Sequence, residues 1–254
     1  MSPVRVLTAN IQSGRSASGK TTSEPELAAA FTGVRADVAA LQEVDRLQPR
    51  SRRIDQVSVI ADALDLPHHR FAAALAGDVR WRRSLARPIG QHPGPAYGVA
   101  LASRYPVIAW FATRLPRVIS RLPVWSNGRP RLWVHEPRVA IAAVLDAPGG
   151  PVAVANTHLS LLPPVSRQQL RTVLTNTEDL GPRAIVAGDF NLPATTVREV
   201  ASDWQMPRAA TYPADHPVRQ IDHILVRGGQ ARDVQSHRLP ISDHRAMSAE
   251  VHWT

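Results

Sequence analysis

The chain contains no cysteine. Disulfide scaffolds, cysteine nucleophiles and zinc–thiolate sites are therefore excluded. Lysine is almost absent as well: Lys20 is the only one, so arginine carries the basic side. No apolar run approaches the roughly 18 residues of a membrane-spanning helix. There is no Walker-type glycine loop and no Gly-x-Ser-x-Gly elbow, which leaves nucleotide-driven work and serine hydrolysis without support. The chain runs almost directly into an apolar segment from Val4, with no cationic n-region or long h-region before it. No signal peptide is expected, and the expected location is cytoplasmic.

What is present is an ordinary globular composition, 44% hydrophobic and 20% charged over 254 residues. One domain spanning 1–254, acting as a monomer, is the simplest expectation. The formal charge is +9. That excess says nothing about fold, but it biases the partner toward something anionic: nucleic acid, a phosphorylated small molecule or an acidic surface.

Short apolar runs read as buried strands at Val4–Ala9, Val38–Leu41, Tyr97–Ser103, Val139–Leu145, Val152–Ala155, Ala184–Ala187, Ile224–Val226 and Ala246–His252. Ser13–Ser23 reads as a loop. A capping-box pattern, Ser23-Glu24-Pro25-Glu26, starts one helix. Ile54–Leu64 has helical periodicity. A further helix is expected over Ser166–Leu180, opened by Ser166 with Gln169 and closed by Gly181-Pro182. Strands and helices do not alternate strictly, which points to sheets packed on each other with helices outside rather than to a doubly wound sheet. Residues 78–133 differ in texture, being rich in Trp, Arg and Pro, and read as long loops around a site.

Polar residues recur at the ends of the apolar strands: Asn10 and Gln12, Gln42-Glu43, Asn156-Thr157-His158, Gly188-Asp189-Phe190-Asn191, Ile221-Asp222-His223-Ile224 and Ser242-Asp243-His244. Strand ends are rigid supports, and endings on one sheet edge converge on one pocket. Glu43, Asp189, Asp222 and Asp243, with Asn10 and Asn191, form an oxygen-rich set suited to a hard divalent cation, Mg²⁺ or Mn²⁺. His158 and His244 can donate hydrogen bonds to phosphate oxygens. The chemistry that fits is metal-assisted attack of water on a phosphoester.

In order along the chain, Leu7-Thr8-Ala9-Asn10-Ile11-Gln12, Leu41-Gln42-Glu43-Val44-Asp45, Tyr97-Gly98-Val99, Asn156-Thr157-His158-Leu159, Gly188-Asp189-Phe190-Asn191, Ile221-Asp222-His223-Ile224 and Ser242-Asp243-His244 resemble the endonuclease/exonuclease/phosphatase superfamily, from Val4 to Val251. The resemblance implies an α/β fold, a four-layer α/β sandwich with two mixed β-sheets packed face to face and helices outside. It also implies a Mg²⁺-dependent phosphoesterase. Glu43 resembles the main metal carboxylate, with Asn10 and Asp243 nearby. Asp189 resembles the aspartate that positions or deprotonates the attacking water, and Asn191 the asparagine that holds the water or the phosphate. His244 resembles the histidine facing the scissile phosphate, with Asp222 orienting it.

Glu136-Pro137 resembles the Glu-Pro of the deoxyribonuclease I branch, which implies a second acid–imidazole dyad, Glu136–His158, with Arg138 beside it as a substrate-binding residue. The phrase also resembles a bacterial group of small metal-dependent hydrolases. Val99 and Gln12 depart from the pattern, where asparagine and histidine are frequent.

Three readings follow. The first is a nuclease, its DNA or RNA held by Arg80, Arg82, Arg83, Arg87, Arg114, Arg117, Arg121, Arg129 and Arg131 interleaved with tryptophans. The second is a sphingomyelinase-like or small-metabolite phosphodiesterase or phosphatase, with Trp110-Phe111 and Leu161–Pro164 as an apolar rim. The third is a binding protein on a degenerate scaffold, disfavoured because each aligned catalytic position is chemically intact.

Overall fold

A computed structural model describes residues 2–16, 18–79, 93–117, 122–126, 129–133 and 136–254. The strands are Val4–Asn10 (β1), Val38–Arg46 (β2), His68–Ala76 (β3), Ala96–Ser103 (β4), Val107–Arg114 (β5), Leu122–Ser126 (β6), Arg129–Trp133 (β7), Val139–Ala147 (β8), Gly150–His158 (β9), Ala184–Asp189 (β10), Asp222–Arg227 (β11), Gly229–His237 (β12) and Ala246–Trp253 (β13). The helices are Glu24–Ala29 (α1), Gln56–Ala63 (α2), Pro163–Glu178 (α3) and Ala194–Val200 (α4).

One six-stranded sheet has the order β12-β13-β1-β2-β4-β3, and a five-stranded sheet has the order β11-β10-β9-β8-β5. Both are mixed. β1 and β2 run parallel in the first and β9 and β10 in the second, while the other pairs are antiparallel. β6 and β7 form a separate hairpin.

Strands with apolar residues on both faces must be covered on both faces. Val6, Val38, Leu101, Ile141, Val154, Ile185 and Met247 fill the space between the sheets. Leu7, Leu41 and Phe71 point the other way, under Leu27 of α1, Phe31 just after it, and Val57 and Ile60 of α2. Ala155, Val186 and Leu225 meet Leu170 and Val173 of α3 and Val197 of α4. The result is the four-layer sandwich, helices outside.

The capping box forms as expected: Ser23 N–H donates to the Glu26 carboxylate at 2.7 Å, and the Ser23 hydroxyl caps α1. The start of α3 differs. It begins at Pro163, with Leu162 at the N-cap and prolines in the first turn, where a missing N–H costs nothing. Ser166 is buried and donates to Leu162 O. Gln169 braces the neighbouring loop, accepting from Ser160 N–H at 2.8 Å and donating to Pro116 O at 2.6 Å.

Residues 78–133 are also not all loop. They contain β4, the edge strand β5 and the β6–β7 hairpin. Trp110 lies on β5, partly buried against the inter-sheet core with the Arg70 guanidinium 5.7 Å from its ring centroid. Arg80, Trp81, Arg82, Arg83, Arg87 and Arg121 lie outside the described residues.

Candidate active site

Register places the site. β9, β10 and β11 are neighbours, and His158, Asp189 and Asp222 occupy the same rung of the ladder at their ends. Gly188 allows this approach. At φ +151 it lies where a Cβ would stand 2.0 Å from Thr157 O, so no other residue fits just before Asp189. Across the sandwich, Asn10 ends β1 beside Gln42 of β2.

Glu43 reaches the site through a bulge. The β2–β4 register jumps between Leu41 and Val44, and Glu43 takes a left-handed φ of 54. An extra residue turns the side chain toward the sheet end. The bulge is held from the opposite sheet by Asn156, whose Nδ2 donates to Leu41 O at 2.8 Å and Ala100 O at 2.6 Å. Gln42 Nε2 donates to Asn156 Oδ1 at 2.7 Å. Just beyond, buried Asp45 pairs with Arg50 at 2.7 Å, and Arg50 also donates to the Ser13 hydroxyl. Gln42 and Asn156 belong to the motifs, but their role appears only across the two sheets.

A cavity of about 530 Å³ opens at these strand ends, lined by Glu43, Glu136, Arg138, His158, Asp189, Asn191, Asp243 and His244. Tyr97, Leu161, Tyr212, Arg219 and Ile221 complete its wall. Asn10 Nδ2 donates to both Glu43 Oε1, at 3.1 Å, and Asp189 Oδ2, at 3.0 Å. Asn191 N–H donates to Asp189 Oδ1 at 3.0 Å, and its side-chain amide is fixed on Leu159 O. Asp243 is exposed on the cavity wall.

The two histidines differ in charge. Burial works against a charged His244, but the 2.9 Å bond and the charge of Asp222, with Asp189 and Asp243 adding, outweigh it and raise its pKa to about 9. His158 is held well below its ordinary range by burial, then by Arg138 and His244. Both rings face Asp189, His158 Nε2 at 3.5 Å and His244 Nε2 at 3.9 Å from Oδ2. Burial and the charge of Asp222 raise the pKa of Asp189, against the opposing pull of His244. Burial raises Glu43 likewise.

The Glu136–His158 dyad does not form. Glu136 Oε2 lies 3.9 Å from Arg138 Nη2, and its Oε1 is buried without a hydrogen-bond partner. His158 turns to Asp189 instead, because the β9–β10 register puts them side by side. Trp110 and Phe111 do not line the cavity. Phe111 borders a separate groove against α3, and of the expected apolar rim only Leu161 is at the site.

Two groups of residues could hold a cation. Asp189, Asp222 and His244 offer ligand atoms all within 4.8 Å of one another. Glu43, Asn10 and Asp189 offer two carboxylates turned on one amide donor. The second suits a hard cation better. Its two carboxylates supply oxygen ligands, whereas a protonated imidazole bonded to Asp222 has no lone pair to give. Among the described residues no helix is long and apolar enough to cross a membrane.

The chain is 27% identical to the protein YbhP of Escherichia coli (strain K12) over 265 aligned positions, covering 98% of this chain and 96% of YbhP. Its fold matches an endonuclease/exonuclease/phosphatase from Beutenbergia cavernae DSM 12333 with a TM-score of 0.72 and 21% identity, over 100% of this chain and 72% of the other. The mannosyl-6-phosphatase Bt3783 of Bacteroides thetaiotaomicron VPI-5482 matches with a TM-score of 0.66 and 16% identity, over 98% and 100% of the two chains. The sequence model of the Endonuclease/Exonuclease/phosphatase family, whose members hydrolyse phosphoesters, matches residues 7–244, and the chain belongs to that family.

Proposed function

We propose that the protein is a divalent-metal-dependent phosphoesterase that hydrolyses a phosphodiester by attack of water, with DNA or RNA as substrate. The observation that carries this reading is a buried carboxylate, Asp189, set between the two imidazoles of His158 and His244 at 3.5 and 3.9 Å. Asp189 accepts the proton of the attacking water. Its raised basicity suits that task. Asn191, its amide nitrogen occupied by Leu159 O, keeps its carbonyl oxygen to orient the same water. His158, neutral, donates a hydrogen bond to a phosphoryl oxygen. His244, cationic and fixed in orientation by Asp222, faces the charge that develops on the phosphorus-bound oxygens. The buried Arg138 guanidinium, with Glu136 beside it, binds a non-bridging oxygen.

Glu43, bonded to Asn10, shares the cavity with Asp243, and such a carboxylate-rich wall fits a divalent cation. Glu43, Asn10 and Asp243 would hold Mg²⁺ or Mn²⁺, which when bound polarises the phosphoryl group and acidifies water.

The charge of +9 favours a polyanion. The confined cavity favours the second reading, a small phosphorylated metabolite or lipid headgroup. The test is a panel of duplex, abasic and single-stranded DNA, RNA, sphingomyelin and phosphorylated sugars with each metal. Cleavage of DNA or RNA is expected, reduced about 10²-fold or more in Asp189→Asn and His244→Ala. Turnover confined to small phosphoesters establishes the second reading, and inactivity across the panel defeats both.

A further inference from the structure

The loop between α4 and β11 contributes three cavity residues, Tyr212, Arg219 and Ile221, that the reaction described above does not use. Residues 211–219 fold back on themselves: Tyr212 N–H donates to Arg219 O at 3.0 Å and Arg219 N–H to Tyr212 O at 2.9 Å. The turn is fastened to the catalytic segment on both sides. Ala214 N–H donates to Asp243 O at 2.7 Å, Arg245 N–H to Thr211 O at 2.7 Å, and the Arg245 guanidinium to Ala214 O at 2.7 Å. The Tyr212 ring meets the His244 ring edge-on at 5.0 Å. The Arg219 guanidinium lies over the other ring, 4.8 Å from the Tyr212 centroid. Those two steps put the guanidinium within about 10 Å of the His244 imidazole.

Arg219 also differs from the arginines around it. Arg138 stands beside Glu136, Arg50 is bound to Asp45, and Arg238 takes Asp215, the carboxylate of this same loop, at 2.8 Å. Arg219 is exposed on the cavity wall, and among the described residues it has no ion pair. An aromatic face under a guanidinium fixes its plane and leaves its N–H edge open, the arrangement that receives a planar or phosphate anion by two parallel hydrogen bonds.

We propose that Arg219, seated on Tyr212, is a second anion-binding subsite, so that the substrate carries another anionic group beside the phosphoester that is cleaved. This rests on the phosphoesterase reading and narrows it: a substrate with a single phosphate leaves Arg219 unused. The second anion has two sources, the neighbouring phosphate of a nucleotide chain or another phosphate of a small metabolite.

Calorimetric binding to the full chain tests the subsite without relying on turnover. Thymidine 3′,5′-bisphosphate is compared with thymidine 5′-phosphate, and glucose 1,6-bisphosphate with glucose 1-phosphate. In at least one pair the bisphosphate is expected to bind about tenfold tighter, the value of one charge-assisted bidentate contact. Arg219→Ala is expected to bring that pair to within about twofold. The pair that discriminates names the source. No preference in either pair, or a preference that survives Arg219→Ala, overturns the subsite. Hydrolysis of bis(p-nitrophenyl) phosphate, which has no second charge, judges the phosphoesterase reading separately.

Discussion

Asp222 Oδ2 lies 2.9 Å from His244 Nδ1, and this contact is the main upward influence on His244, the influence that sets it apart from His158 in the same cavity. His158 has only the longer, 3.5 Å approach of Asp189 Oδ2 to its Nε2, and burial holds its pKa well below the ordinary range. A site with one imidazolium and one imidazole can stabilise developing negative charge and still keep a proton acceptor unprotonated beside it.

The alkaline side of the pH profile should report that contact. His244 is raised to about 9 in the folded protein, so the imidazolium persists through neutrality and is lost as pH rises through that value. kcat/KM should fall with a limb near the same pH. Asp222→Asn keeps the shape and removes the charge, and should move the limb down by about one unit or more with an activity loss of about 10²-fold. An unmoved limb in the variant assigns the titration to another group.

His223, next along β11, behaves oppositely and affects stability rather than rate. It is fully buried, stacks on Phe190 at 5.2 Å, and hydrogen-bonds Leu192 O at 2.9 Å through Nε2, while Nδ1 has no partner. Burial, opposed by the bond to Leu192 O and the charge of Asp222, lowers its pKa from 6.5 to about 4. The unfolded chain therefore binds the extra proton first. Stability is intact above pH 6.5, declines as pH falls toward 4, and is flat below in this contribution, a loss of about 3 kcal/mol in all. His223→Gln keeps an N–H for Leu192 O and cannot titrate. Denaturant unfolding across this range should show a shallower acid decline in the variant; equal slopes would remove His223 as the cause.

Much of this site was legible because strand ends are where a sheet hands polar groups to solvent. Asp189, Asp222, His158 and His244 each follow or precede an apolar run, and register does the rest. What was not legible depends on the opposite sheet. Asn156 looks like one more polar strand end, yet its amide crosses the sandwich to Leu41 O and Ala100 O. Glu136 follows a familiar Glu-Pro pattern, but pairing in β9 and β10 gives His158 to Asp189. β3, with four alanines in nine residues, has weak strand propensity and is a strand because β4 pairs with it. The polar edge strand β12 has no apolar alternation to betray it, and Arg219 is an ordinary loop cation until Tyr212 is seen beneath it.

The Asn156 bridge should be costly to break from one side. Asn156→Leu strands the bulge carbonyl of Leu41 and the carbonyl of Ala100 in a dry interior, while the Gln42 amide keeps Ala40 O and the Thr8 hydroxyl. A loss of about 2–4 kcal/mol in denaturant unfolding is expected. Gln42→Met alone strands Asn156 Oδ1, an oxygen that is absent once Asn156 is leucine, so the double variant should be more stable than additive losses predict. Additivity within about 0.5 kcal/mol would show the two amides to be independent.

Glu43 gives the last prediction, since it joins the fold to the chemistry. Its carboxylate is brought by the bulge to the same Asn10 amide that Asp189 accepts from, and burial raises its pKa. Burial first, and then the charge of Glu136, disfavour the ionised Glu43 carboxylate, and a divalent cation offsets both. Adding Mg²⁺ or Mn²⁺ should therefore raise the melting temperature of the wild-type chain, and chelation should reverse the shift and abolish phosphoester turnover. Glu43→Gln keeps the hydrogen-bonding shape and removes one charge. It should melt at or slightly above the metal-free wild type, because the desolvated charge is gone. It should also respond far less to metal, with the half-saturating concentration raised about 100-fold, the effect of about 3 kcal/mol on a binding constant. Melting with and without metal measures this without any substrate. A variant that keeps the full metal-induced shift would move the cation away from Glu43, toward the cluster of Asp189, Asp222 and His244.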